Sequence, residues 1–175
     1  MRNIRIVSTV LLLASFAAVA SAHNNDKKCL DVPKDIPAAI AVPDGHCLKE
    51  KVTGSGAQIY SCVGGVWTLK APEANLTDKG KFVGNHFLGP TWQWVDGSKV
   101  KAARTAQSPG STASDIPWLL LTVTKEEGEG KLDGTKFIQR IHTLGGVAPT
   151  DPCTVTNDLV VGYKADYLFW KEKKK

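Results

Sequence analysis

"DLVVGYKADYLFW", residues 158–170, places Leu159, Val161, Tyr163, Ala165, Tyr167 and Phe169 at a period of two. Successive side chains of a strand point to opposite faces, so this segment presents one face that is apolar from end to end. Read as a single long strand bent at Gly162, it covers a whole side of a core. A strand of that length needs partners with the same alternation, and the rest of the chain supplies them.

"AQIYSCVGGVWTLKA", residues 57–71, has two alternating runs flanking Gly64-Gly65. Two glycines in a two-residue loop supply the positive φ angles of a type I′ turn. That register sets Val63 opposite Val66, Cys62 opposite Trp67 and Tyr60 opposite Leu69, with Tyr60, Cys62, Trp67 and Leu69 on the core face. "IPWLLLTVTK", 116–125, is a nearly continuous apolar run suited to a buried strand, and "KFIQRIHTL", 136–144, alternates before Gly145-Gly146. The stretches 105–115 and 125–134 read as exposed loops, and almost nothing follows a helical period. The expected fold is all-β: one antiparallel β-sandwich or barrel, with Tyr60, Trp67, Trp118, Tyr167 and Phe169 in one core.

At the N-terminus, Arg2 and Arg5 precede an apolar run over 6–20 that ends in Ala20-Ser21-Ala22. This is the pattern of a cleaved export signal over 1–22, and it predicts a secreted, extracellular or periplasmic protein. The run is shorter than a bilayer span of about 20 residues, so no membrane span is expected. The domain plan is then a signal peptide (1–22), an extended Pro-rich lead-in (23–46), a β domain (47–170) and a basic tail (171–175). The formal charge of +5 resides at the two ends. Arg2 and Arg5 leave with the signal, and the tail Lys171-Glu172-Lys173-Lys174-Lys175 carries the remaining excess. A neutral body with no basic stripe argues against nucleic acid as a partner.

Cys29, Cys47, Cys62 and Cys153 make an even set in an exported chain, and none of them forms a CxxC pair. Two disulfides are therefore expected rather than zinc or redox chemistry. Four cysteines allow three pairings. A buried Cys62 on the hairpin suits a long-range staple to Cys153, which leaves Cys29 to close a short loop with Cys47.

"GPTWQWVDGSKVK", residues 89–101, is the stretch most suggestive of function. A two-residue loop at Asp96-Gly97 would pair Trp94 with Lys99 and Trp92 with Lys101, and would set Gln93 opposite Val100. Trp92 and Trp94 would then share a face with Lys99 and Lys101. Two lysines resist burial, so part of the indole pair should stand near solvent. Such a face is either a ligand platform, with indoles stacking on sugar rings and lysines holding acidic substituents, or a packing and surface arrangement without a ligand.

Gln58-Ile59-Tyr60 with Cys62, then Trp67 to Leu76, Gly84 to Val100, Ile116 to Leu121, Gln139 to Cys153 and Tyr163 to Phe169, occur in an order that resembles a family of exported bacterial and fungal proteins. It is known as domain of unknown function thirty-four fifty-five. The resemblance runs over about 37–170 and includes Trp92 but not Trp94. It implies a secreted single domain and a Cys62–Cys153 disulfide, and it implies no activity. Relatives often carry an acid where this chain has Gln93. Some carry a malate dehydrogenase label, which these residues oppose: no GxGxxG follows a strand and the βαβ alternation is absent.

No GxSxG nucleophile elbow occurs. Glu73, Asp96 and Asp166 are candidate carboxylates for glycoside hydrolysis, but their spacing selects no pair. Cleavage after Ala22 would leave His23 at the new terminus, where its amino group and imidazole could chelate copper with His46, His86 or His142. The competing reading, which is preferred, is a polar tail with no metal, and no cofactor is expected. Asn75-Leu76-Thr77 is a glycosylation acceptor in a eukaryotic host. The role expected from these residues is a secreted, non-catalytic domain binding carbohydrate or another cell-surface polymer through the aromatic hairpin. The alternative is a secreted hydrolase acting on a cell-wall or environmental polymer.

Overall fold

In a computed structural model, which describes residues 29–174, eight antiparallel strands follow a short 3-10 turn at Ala38–Ile40. They are β1 (His46–Val63), β2 (Val66–Asp78), β3 (Lys81–Phe87), β4 (Thr91–Trp94), β5 (Lys99–Ser108), β6 (Trp118–Glu127), β7 (Thr135–Gly145) and β8 (Leu159–Glu172). Each pairs with the next, and β8 pairs back onto β1 from Glu172 opposite His46 to Leu159 opposite Tyr60. The sheet closes as a barrel, which removes the exposed edges an open sheet would leave. The expected signal peptide (1–22) and His23 lie outside the described residues.

The alternation of 158–170 is realised in β8, where Tyr163, Ala165, Tyr167 and Phe169 are buried inside the barrel with Leu76, Trp92 and Ile138. No bulge falls at Gly162; the irregularities lie in the partners. β1 gains an extra residue between Leu48 and Glu50, and β7 gains one between Ile141 and Leu144, where His142 adopts φ 50°. Such bulges bend a strand around a barrel without breaking the alternation on either side. Gly54 of β1 faces the interior, and a Cβ there would sit 2.5 Å from the Tyr167 ring. Its missing side chain is the space that ring occupies.

The Gly64-Gly65 hairpin has the expected register, with Cys62 opposite Trp67 and Tyr60 opposite Leu69. Its tip, however, runs past the packed body. Trp67 is only half-buried and Leu69 is exposed. The single expected core is in fact divided. Tyr167 and Phe169 lie within the barrel, whereas Trp118 packs on the outer wall with Ile40, Leu120, Ile141, Leu168 and Trp170. This second cluster forms because the lead-in packs over β5 and β6 and is hydrogen-bonded to β7. Ile40 is fully buried there, its carbonyl accepts from Gln139 Nε2 at 2.7 Å, and Trp170 Nε1 donates to Gln139 Oε1 at 2.9 Å. Burying the Ile40 side chain contributes about 2 kcal/mol to holding the strap. The run 116–125 is continuously apolar because its strand is covered on both faces.

Disulfides join Cys29 to Cys47, fastening the strap to β1, and Cys62 to Cys153, fastening the β7–β8 connection to the hairpin tip. The segment 125–134 is not simply an exposed loop. Its Leu132 is fully buried and plugs one end of the barrel, with its amide donating to Ser98 Oγ at 3.1 Å. The expected loop at 105–115 begins later, because β5 continues to Ser108.

His142, on the β7 bulge, ties the strap down: its Nε2 meets Asp35 at 2.8 Å and its Nδ1 meets Asp166 at 3.0 Å. Burial alone lowers the His142 pKa, but the hydrogen bonds and charges of Asp166 and Asp35 outweigh it and raise the pKa above its ordinary value of about 6.5. Asp35 is held low chiefly by the His142 hydrogen bond. At Asp166, burial acts upward, and bonds from His142 and Lys51 outweigh it. The His142 contribution is therefore complete below about pH 6.5 and is lost as pH rises through the raised pKa. The carboxylate contributions are lost only in acid, below about pH 4. Strap docking should be tightest near pH 5–6. Amide exchange across residues 30–42, corrected for intrinsic base catalysis, should be faster at pH 8.5 than at pH 5.5, and equal protection at both would contradict this.

Candidate functional site

The tryptophan hairpin turns one residue away from the register expected of it. Asp96 Oδ1 accepts from the Ser98 amide at 2.9 Å and from its hydroxyl at 2.6 Å, and Gly97 takes φ 89°. Together they favour a three-residue loop over a two-residue one. Trp92 is consequently opposite Val100, while Gln93 faces Lys99 and Thr91 faces Lys101. A slip of one residue moves every side chain to the other face. Trp92 and Trp94 are buried inside the barrel at 1% and 5% exposure, with Trp94 edge-on to Phe169 at 5.6 Å. Lys99 and Lys101 emerge on the outer wall, where Lys99 Nζ pairs with Glu127 at 2.5 Å. The four residues do not form one solvent-facing platform.

Trp92 nevertheless lines a space of ligand size. A cavity of about 340 Å³ occupies the barrel mouth opposite the Leu132 plug, and all eight strands contribute to it. Its volume falls in the range of small-molecule sites, roughly 300–1,000 Å³, and an eight-stranded barrel is just wide enough to hold one small ligand. Leu119, Leu121 and Ile116 supply apolar wall, Gln58, His86 and Trp92 line the β1, β3 and β4 sides, and Tyr167 lines the β8 side. Among the described residues, Arg104 and Arg140 are the charged ones lining the cavity, and no carboxylate lines it.

Each polar wall residue is held by local structure. His86 stacks on Trp92, with ring centroids 4.2 Å apart and planes 13° apart. Its Nδ1 donates to the Thr91 carbonyl at 2.9 Å, which leaves Nε2 as an acceptor. Burial pulls the His86 pKa down to about 3, so the ring is neutral at physiological pH. Tyr60 donates to the Gly146 carbonyl at 2.6 Å, and the hydroxyls of Tyr163 and Tyr167 lie 2.9 Å apart. The Arg140 guanidinium is anchored by Nε and Nη2 on the Pro117 carbonyl at 3.2 and 2.9 Å. Two buried atoms of cavity-lining residues, Gln58 Oε1 and Trp92 Nε1, have no hydrogen-bond partner among the described residues. Leaving such groups unmet costs about 1–3 kcal/mol each, so they are the natural contact points for a guest.

The candidate carboxylates do structural work elsewhere. Asp96 caps its turn and accepts from the Lys131 amide at 2.7 Å. Asp166 faces outward, bound by Lys51 at 3.1 Å, Thr53 and His142. Glu73 is exposed on β2 opposite Ala57, and Asp166 lies opposite Thr53. Four residue steps and two strand spacings separate them, roughly 16 Å by standard sheet dimensions. That is beyond the carboxylate spacing of about 5–9.5 Å in glycosidases. Of the histidines considered for copper, His86 is inside the barrel, His142 is on the outer bulge, and His46 binds the Pro43 carbonyl at 2.8 Å. Among the described residues no three His, Cys, Asp or Glu side chains converge to hold a metal. Asn75 is exposed on β2 and accepts from Asn85 Nδ2 at 3.0 Å. The sequence singles out none of Gln58, Arg104 and Arg140, and it points to His86 only as a copper ligand. The available signal was a polar residue at an inward strand position, since Gln58 shares the parity of Tyr60 and Arg140 that of Ile138.

Fold and site together define a disulfide-braced, closed β-barrel with a ligand-sized mouth. The chain belongs to the family described as "Protein of unknown function (DUF3455)", whose model matches residues 43–171. That span takes in β1 to β7 whole and β8 as far as Lys171. No curated protein and no solved structure matches the chain.

Proposed function

We propose that this is an exported, non-catalytic binding protein that holds one small, mainly apolar molecule in the mouth of its barrel. The observation that carries the reading is the 340 Å³ cavity, walled by all eight strands, with two buried polar atoms of its lining residues that have no partner among the described residues. Two disulfides support an oxidising compartment. Among the described residues no helix is long and apolar enough to cross a membrane. The outer wall of β1 to β5 carries Lys51, Ser55, Asn75, Asn85, Gln93 and Lys101, unlike the apolar band of a lipid-facing barrel. Carbohydrate binding on the hairpin surface loses its support once Trp92 and Trp94 face inward, and polymer hydrolysis loses its support with the carboxylates dispersed.

The test is titration with the neutral fluorescent probe N-phenyl-1-naphthylamine, comparing the parent protein with Leu119→Trp, which puts an indole into the mouth. The parent should bind at one site, and the variant should bind at least tenfold more weakly at a melting temperature within a few degrees of the parent. Absence of probe binding to the parent, or full binding by the variant, would contradict the proposal.

A further inference from the structure

We infer that the guest is an anion, a small aromatic or short aliphatic carboxylate whose acid group is held by Arg140 at the cavity wall. This rests on the cavity reading above and adds the chemical class of the ligand.

The first argument is charge. Arg140 is half-buried and makes no ion pair among the described residues, and the cavity it lines contains a second guanidinium, Arg104, and no carboxylate. A partly desolvated guanidinium without a counter-ion is a standing attraction for an acid group, and its planar fork suits carboxylate. Two donors of Arg140 are spent on the Pro117 carbonyl, which fixes the group beside the Tyr167 hydroxyl. Arg104 is more exposed and is drawn outward by Gln107 Oε1 at 2.9 Å, so it serves as the weaker of the two.

The second argument is reach. Burial dominates the titration of Tyr60, His86, Tyr163 and Tyr167, and at each of them the Arg140 charge also acts, favouring the more negative form. Three of these residues, Tyr60, His86 and Tyr167, line the cavity beside Arg140. The third argument is the polar pattern. Trp92 Nε1 is a buried donor with no acceptor among the described residues, which an acid oxygen can meet. An acid group near Arg140, with a second oxygen toward Trp92 and an apolar body against Leu119 and Leu121, uses each of these features.

The experiment compares an anion with its neutral isostere, 2-naphthoate against 2-naphthamide, by isothermal titration calorimetry on the parent protein, Arg140→Gln and Arg104→Gln. The parent should prefer naphthoate by at least about tenfold, and raising the salt should weaken that preference only modestly for a partly buried site. Arg140→Gln should bring naphthoate down to the naphthamide level and leave naphthamide binding within twofold, which also shows that the variant cavity is intact. Arg104→Gln should reduce the preference less. Equal affinity of the parent for both probes would overturn the anion inference and leave the cavity reading standing. A preference that survives Arg140→Gln would overturn the role given to Arg140. If neither probe binds the parent, both readings fall. Should Arg140→Gln not unfold cooperatively, Arg140→Lys takes its place: it should keep a preference for naphthoate but a smaller one, and an undiminished preference would count against the forked contact.

Discussion

Trp94→Ala should lower the free energy of unfolding by about 3–5 kcal/mol, measured by denaturant titration. The side chain is 5% exposed and meets Phe169 edge-on inside the barrel, so truncation removes a large buried surface and leaves a cavity that rigid strands cannot close. An indole on an outward platform would behave differently, because an exposed ring contributes little to the core. A loss below 1 kcal/mol would therefore contradict the three-residue loop at Asp96 and the register it sets. Lys99→Ala and Lys101→Ala, on the outer wall, should each change stability by less than about 0.5–1 kcal/mol.

Removing the Cys62–Cys153 disulfide by a double serine substitution should cost about 4–5 kcal/mol, against about 3 for Cys29–Cys47. The two bridges close sequence separations of 91 and 18 residues, and the chain entropy returned to the unfolded state grows with the logarithm of loop length. The longer bridge also holds the Cys153 amide against the Gly65 carbonyl at 2.9 Å, at the end of the hairpin that frames the cavity mouth. The check is equilibrium unfolding of both double variants under the same conditions. A larger loss from the Cys29–Cys47 pair would show that strap docking, and not loop closure, dominates.

The parts of the fold legible in the chain are those decided by local pattern. The parity of β8 is set by six apolar residues at period two, with Gly162, Lys164 and Asp166 interrupting the opposite face, and Gly64-Gly65 admits a tight turn whose register follows from the flanking residues. The tryptophan hairpin lacked both conditions. Asp96-Gly97 suits a two-residue or a three-residue loop, and Trp-Gln-Trp opposite Lys-Val-Lys is consistent with either offset. The choice is made by non-local burial, since Trp92 and Trp94 gain the barrel interior only when Val100 shares their face. Trp118 was placed in the wrong cluster for a related reason: an apolar run can be buried on both sides, and what covers the second side is a strap over 75 residues earlier in the chain. The cavity was hidden because closure of the barrel, which brings Gln58, His86, Trp92 and Arg140 around one space, is a property of the whole sheet and not of any single strand.

The claim that the functional site lies inside the barrel mouth is tested most directly by two-dimensional nitrogen–proton NMR of the protein during titration with N-phenyl-1-naphthylamine. The Trp92 indole Nε1–H and the Gln58 side-chain amide should show the largest shifts, saturating together, with the amides of Lys99, Lys101 and Asn85 on the outer wall unmoved. Shifts confined to those outer residues, with the Trp92 indole unchanged, would contradict it.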